Sequence, residues 1–167
     1  MKLGNQVEWG LHCMELLARV PDGIYIPTKV LAKFHGIPKE YLSKAMQALA
    51  SANLIEGTLG PKGGYRIARS PSKISLLEIV EAIEGRKRTF NCQEIRFNNP
   101  CLQNKEMKKE TKKGTICAVA RTMLQADEAW RKVLSEKMLS ELILDVDDQV
   151  SEEIMSLSQQ WIENEIF

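Results

Sequence analysis

The chain has 167 residues, 44% of them hydrophobic, which suits one small globular domain plus an extension. No run approaches the roughly 18–20 uninterrupted apolar residues of a membrane-spanning helix, and the first residues lack a secretory signal pattern, so a cytoplasmic protein without membrane attachment is expected. The net charge of +1 hides an asymmetry: up to Ser75 there are ten Lys and Arg against five Asp and Glu, and beyond it thirteen against seventeen, a basic head suited to a polyanion on an acidic body.

Residues 3–20 carry Leu3, Val7, Leu11, Met14 and Leu17 at three- and four-residue spacing, which predicts an amphipathic helix stopped by Pro21-Asp22-Gly23. A short second helix is expected after Ile26-Pro27, with Thr28 as N-cap, Val30, Leu31 and Phe34 turned inward, and Gly36 closing it. A third follows from Pro38, a residue that a helix's first turn accepts. Its expected buried stripe is Tyr41, Leu42, Ala45, Met46 and Leu49, up to about Asn53. Two helices joined by a tight glycine-containing turn make a helix-turn-helix.

Leu54-Ile55-Glu56-Gly57-Thr58 and Gly64-Tyr65-Arg66-Ile67-Ala68 are strand-like runs around Leu59-Gly60-Pro61-Lys62-Gly63. A basic-tipped hairpin directly after a helix-turn-helix has the place of a wing. The segment lacks the spacing and the strand-helix context of a phosphate-binding loop. The candidate DNA contacts are Lys39, Glu40, Ser43 and Lys44 on the third helix, with Lys62 and Arg66 on the wing and Arg69 beside it. The expected fold class is mainly α with a small β-hairpin wing.

A helix over Ser75–Glu84, with Ile79, Val80 and Ile83 inward, ends at Gly85-Arg86-Lys87-Arg88. Residues 91–115 are polar and irregular, with Asn98-Asn99-Pro100 and a lysine-rich run from Lys105 to Lys113. Long loops of this kind are functional or disordered. From Ile116 to about Met138 a helix is expected whose stripe of Val119, Met123, Ala126, Trp130 and Leu134 suits a homodimer seam. The expected organisation is a DNA-binding winged helix at 1–84, a sensor loop at 85–115, a dimerisation helix at 116–140 and a C-terminal helical segment at 141–167 packing on the N-terminal domain.

Of the four cysteines, Cys13 falls in the first helix and reads as a small apolar filler, whereas Cys92, Cys101 and Cys117 lie in or beside the polar loop. In a reducing compartment metal ligation or redox sensing is favoured over disulfides. Glu8 and His12, four residues apart on one helix, share a face away from Val7, Leu11 and Met14. They could join in holding a metal or form an ordinary solvated pair.

The entry Ile37-Pro38-Lys39-Glu40-Tyr41-Leu42, the wing Gly63-Gly64-Tyr65 and the run from Ile74 through Leu76, Ile79 and Ile83 to Gly85 together resemble the IscR/NsrR/RsrR-type winged-helix transcriptional regulators, a family that also holds the cluster-free CymR. The resemblance covers nearly the whole chain. It implies a dimer, a recognition helix in the major groove, a wing in the minor groove and a cluster or thiol sensor after residue 85. The cysteine spacing departs from the three close cysteines common in the cluster-binding branch, with eight residues between Cys92 and Cys101 and fifteen between Cys101 and Cys117, and Ala120 stands where IscR carries an additional histidine.

Within the family the pattern is most similar to the redox sensor RsrR, in Val7-Glu8-Trp9, Leu11-His12-Cys13, Cys92-Gln93-Glu94-Ile95-Arg96 and Cys117-Ala118-Val119-Ala120-Arg121. That likeness implies a 2Fe-2S cluster held by Cys92 and Cys117 of one subunit and Glu8 and His12 of the other, with Cys101 a spare or alternative ligand. Nitrogen and oxygen ligands on one iron would raise the potential relative to four thiolates. The alternatives are a cluster-free regulator of the same family controlled by a thiol, a metabolite or a partner protein, an iron-sulfur carrier, and a zinc site on the same ligands. No nucleophile-base pair or cofactor fingerprint points to an enzyme.

Overall fold

Helix α1 (Asn5–Ala18) turns Val7, Cys13, Met14 and Leu17 inward, following its helical periodicity. In the computed structural model, residues 3–60, 63–102, 105, 106, 109 and 116–166 are described. The chain divides into two compact units, Met1–Arg86 with Val133–Phe167, and Lys87–Lys132.

In the first unit, α2 (Thr28–His35) and α3 (Lys39–Ser51) each start on a proline in extended conformation. Pro27 rather than Thr28 is the N-cap of α2: its carbonyl accepts from the N–H groups of Val30 and Leu31, at 2.9 and 3.2 Å. Pro38 does the same for Tyr41 and Leu42, so it lies one residue outside the helix it opens. In both places the ring fixes φ near −61°, and no backbone donor is lost because the N-cap N–H is outside the helical ladder. Gly36 closes α2 in the left-handed conformation, φ 64°.

The buried face of α3 is Leu42, Ala45, Met46 and Leu49, but Tyr41 is not part of it. At 57% exposure its ring points to solvent, because it lies about 100° around the helix from Leu42, at the margin of the stripe.

Strands β1 (Ile55–Thr58) and β2 (Gly64–Ile67) form the antiparallel wing, in register Ile55 with Ile67 and Glu56 with Arg66. Tyr65 also exchanges 2.9 Å backbone hydrogen bonds with Ile26, which adds a third extended segment beside β2. That approach explains Gly64, since a Cβ there would overlap the Ile26 carbonyl. Gly64→Ala must push backbone apart. It should cost about 1–3 kcal/mol and speed amide exchange at Ile26 and Tyr65, and unchanged exchange would refute the packing argument.

Helix α4 (Leu76–Glu84) opens with a reciprocal cap: the Glu78 N–H donates to Ser75 Oγ at 3.3 Å, and the Ser75 N–H donates to Glu78 Oε2 at 2.9 Å. The chain then leaves the unit and returns with the end of α5 (Ala118–Glu136), α6 (Leu139–Gln149) and α7 (Glu152–Ile166). The return is pinned where Leu76 N–H donates to the Lys137 carbonyl and Leu139 N–H to the Ile74 carbonyl, at 2.9 and 2.8 Å. Arg19, the C-cap of α1, bonds both Glu15 of α1 and Asp147 of α6, and Phe34 of α2 meets the Trp161 ring of α7 at 5.5 Å. Leu139 and Ile162 thereby join the core built by α1 to α4.

The second unit holds the polar segment, a short 3₁₀ turn at Ile95–Asn98, and α5 up to Lys132. Most of the lysine-rich run from Lys105 to Lys113 lies outside the described residues. Buried Asp127 accepts from the Thr89 backbone N–H and hydroxyl at 3.3 and 2.6 Å, from Trp130 Nε1 at 3.0 Å and from Arg131 Nε at 3.0 Å. These donors, the Thr89 hydroxyl foremost, hold its carboxyl well below the usual range. Arg131 also reaches the Lys87 carbonyl at 2.7 Å, closing a clasp on the start of the segment. Asp127→Ala should therefore open residues 87–89 and accelerate tryptic cleavage there by roughly tenfold or more. An unaltered cleavage rate would show that the clasp holds nothing in place.

Candidate functional site

The outward face of α3 is built by its periodicity: with Leu42, Ala45, Met46 and Leu49 inward, Lys39, Glu40, Tyr41, Lys44 and Gln47 are left exposed. Lys39, Glu40 and Lys44 are thus solvent-facing on α3. Ser43 differs, being half-buried with its hydroxyl donated to the Lys39 carbonyl at 2.8 Å. Tyr41 and Gln47 are outward positions that the sequence reading missed. Gln47 is legible in hindsight, seven residues past Glu40 and three past Lys44; Tyr41 was masked by the apolar bulk of its ring.

On the wing, Lys62 lies outside the described residues. Arg66 is on β2, where it bonds Glu56 across the hairpin and rests its guanidinium 5.0 Å from the centre of the Tyr25 ring. Arg69 pairs with Glu78 at 2.9 Å.

The candidate metal ligands fall into two groups. Glu8 and His12 are both exposed on α1, one turn apart, at the side of an open groove of about 400 Å³ with apolar walls from Val7, Leu11, Leu142 and Val146. Beside them is a residue the sequence reading did not single out: His35, whose ring centre is 5.7 Å from that of His12. Burial, and secondarily the charge of His12, lower the His35 pKa to about 4, so its imidazole is neutral. Among the described residues its buried Nε2 has no hydrogen-bond partner. Its signal was its rarity, since the chain holds two histidines.

The second group gathers around Glu94, a non-glycine residue in left-handed conformation at φ 51°. That turn aims the Glu94 N–H at Cys92 Sγ, 3.4 Å away, while Cys92 Sγ and Glu94 Oε1 are 3.5 Å apart. Arg96 Nε donates to Glu94 Oε2 at 2.8 Å. Cys117 stands at the entry to α5, where the backbone N–H groups of Ala120 and Val119 lower its thiol pKa, helped by Arg96 and opposed by Glu94. Cys92 therefore touches Glu94, while the Arg96 and Glu94 charges act on Cys117 only electrostatically. Cys101 is exposed in a turn of its own, its N–H donated to Asn99 Oδ1 at 2.9 Å. Cys13 is fully buried, with its pKa pushed up to about 12, as a filler's would be. Among the described residues no three His, Cys, Asp or Glu side chains converge on one point. None of the described helices is long and apolar enough to cross a membrane.

Comparison with known proteins agrees with this architecture. The chain is 26% identical over 148 residues to the HTH-type transcriptional regulator NsrR of Shouchella clausii, covering 89% of this chain and 92% of that one. Among solved structures, the IscR of T. potens superposes with a TM-score of 0.66 at 20% identity, over 93% of this chain and 96% of that one. CymR, the global cysteine regulator of B. subtilis, superposes with a TM-score of 0.64 at 21% identity, over 88% and 99%. Both structures share the fold of a winged-helix regulator. The model of the Rrf2 family, described as iron-dependent transcriptional regulator, matches residues 3–145, from the first helix into α6. On that match the chain belongs to the Rrf2 family: it is a transcriptional regulator that acts on DNA, and not an enzyme.

Proposed function

We propose that this Rrf2-family regulator acts as a homodimer on double-stranded DNA, and that its DNA affinity is set by a 2Fe-2S cluster shared between subunits. Cys92 and Cys117 of one subunit and Glu8 and His12 of the other would hold it. The observation that carries the reading is the sorting of donors: in the second unit Cys92 bonds Glu94 and Cys117 has its thiol pKa lowered by backbone N–H groups at the entry to α5, while a carboxylate and an imidazole share an exposed face of α1 in the first. Neither pair alone closes a four-ligand site, which suits a site completed by a second copy. The donor set of two thiolates, one nitrogen and one oxygen fits such a cluster.

When bound, the cluster supplies a one-electron change of charge. The chain's own part is to place Glu8 and His12 on the helix that packs against recognition helix α3, so that a strain or charge on α1 reaches the reading face. In this reading residues 1–84 read DNA, 85–115 sense, 116–140 dimerise and 141–167 brace the head. Lys39, Glu40, Ser43 and Lys44 face the major groove, Ser43 with its hydroxyl turned back on the helix, and Lys62 and Arg66 meet the backbone or the minor groove.

A cluster-free regulator controlled by a thiol is the alternative reading; the lowered thiol pKa of Cys117 and the likeness in fold to a cysteine regulator are compatible with it without favouring it. The two separate on one measurement, the visible spectrum of anaerobically purified protein combined with DNA binding before and after reduction. The shared cluster predicts a coloured protein whose affinity changes with its redox state. A colourless, iron-free protein with unchanged specific binding would sink it. On the DNA side, Lys44→Ala should weaken binding to all sequences and lower the salt slope by about one. Glu40→Ala should instead change base preference, and equal losses on specific and random DNA from both would refute the groove assignment.

A further inference from the structure

On the wing, Arg66 is held in a neutralising pair. Glu56 and Arg66 are register partners on β1 and β2, and Arg66 Nε donates to Glu56 Oε1. The same guanidinium lies over the Tyr25 ring at 5.0 Å, and Asp22 adds a further negative charge nearby. Tyr25 is held in place because the next residue, Ile26, is bonded to Tyr65 of β2. A cation placed to meet phosphate is thus committed to a carboxylate while the protein is free of DNA.

We propose that Glu56 masks Arg66, so that the wing contributes this charge only when a phosphate displaces Glu56, and that breaking the mask costs specific binding more than random binding. This rests on the wing contacting DNA. Both side chains are partly exposed, and an ion pair of that kind is worth at most a factor of about five in an equilibrium. A phosphate fixed in a docked complex takes the guanidinium in bidentate geometry and outcompetes the carboxylate. Loosely held phosphates on random DNA do not achieve that geometry, and there Glu56 keeps its partner. The Tyr25 face carries the guanidinium through the exchange, because stacking on the ring does not depend on which anion is bound.

The test is a cycle of Glu56→Gln, Arg66→Ala and the double substitution, measured on specific and random duplexes over a range of salt. Glu56→Gln should tighten specific binding by about three- to fivefold and random binding by less. In the Arg66→Ala background the same change should do nothing. If it tightens binding equally there, Glu56 acts as a bare repulsive charge and the mask is refuted. Should Arg66→Ala alone leave affinity and salt slope unaltered on specific DNA, the wing contact itself fails, an outcome separate from failure of the mask.

Discussion

Cys92→Ala and Cys117→Ala are each expected to abolish the visible spectrum of a 2Fe-2S protein, whereas Cys101→Ala is expected to leave it intact. The reason is positional. Cys92 bonds Glu94, which is itself paired with Arg96, and Cys117 has backbone N–H groups in place to stabilise its thiolate. Cys101 has its own Asn99 turn and an exposed side chain. On the other subunit, Glu8→Ala with His12→Ala should remove or shift the spectrum, because an iron deprived of its oxygen and nitrogen ligands must find others or be lost. His12→Cys should lower the reduction potential by replacing a neutral ligand with an anionic one. If the double variant at Glu8 and His12 keeps a normal spectrum and Cys101→Ala destroys it, the site is a three-cysteine one and the cross-subunit lever does not exist.

The second large effect is expected in assembly. Val119 and Met123 of α5 are 64% and 39% exposed, and Ile116 precedes them at 59%, a row of apolar side chains on one flank of the helix. Val119→Glu should give monomers in sedimentation at micromolar concentration. Losing the burial of one such residue from each of two subunits, and placing like charges together, weakens dimerisation by roughly 100-fold or more. Trp130, another candidate for the seam, is a poorer probe: its indole N–H is bonded to Asp127, so a change there would disturb the Thr89 clasp as well as any interface. A wild type that sediments as a monomer at the same concentration would remove both the dimer and the shared cluster.

Much of the reading unit was legible in the sequence because its signals are local. Periodic apolar positions marked α1 to α4, Gly36 marked a helix end, and Gly63-Gly64-Tyr65 marked the hairpin. What escaped were features decided between elements. Tyr41 looked like part of the buried stripe, yet whether a residue at the margin is covered depends on what packs opposite it. The pairing of Arg66 with Glu56 required the strand register, and the neutral His35 beside His12 required the packing of α2 on α1. The ligand set was legible only through resemblance, since spacings of eight and fifteen residues fix no distance in space. The Glu94 turn, which aims its N–H at the Cys92 thiol, leaves no trace in hydropathy.

The core of the reading unit is assembled from both ends of the chain, with Leu139 and Ile162 packed among residues of α1 to α4, and residues 87–132 inserted between. In folding terms the inserted segment is a loop that must be closed before the head is complete. During synthesis the head therefore waits for its last helix. Loop closure grows only with the logarithm of length, about 0.6 kcal/mol for each doubling. Residues can be added to or removed from the segment at little thermodynamic cost to the head, so long as its two ends still meet. A chain organised in this way can change its inserted segment while the surface that reads DNA stays as it is.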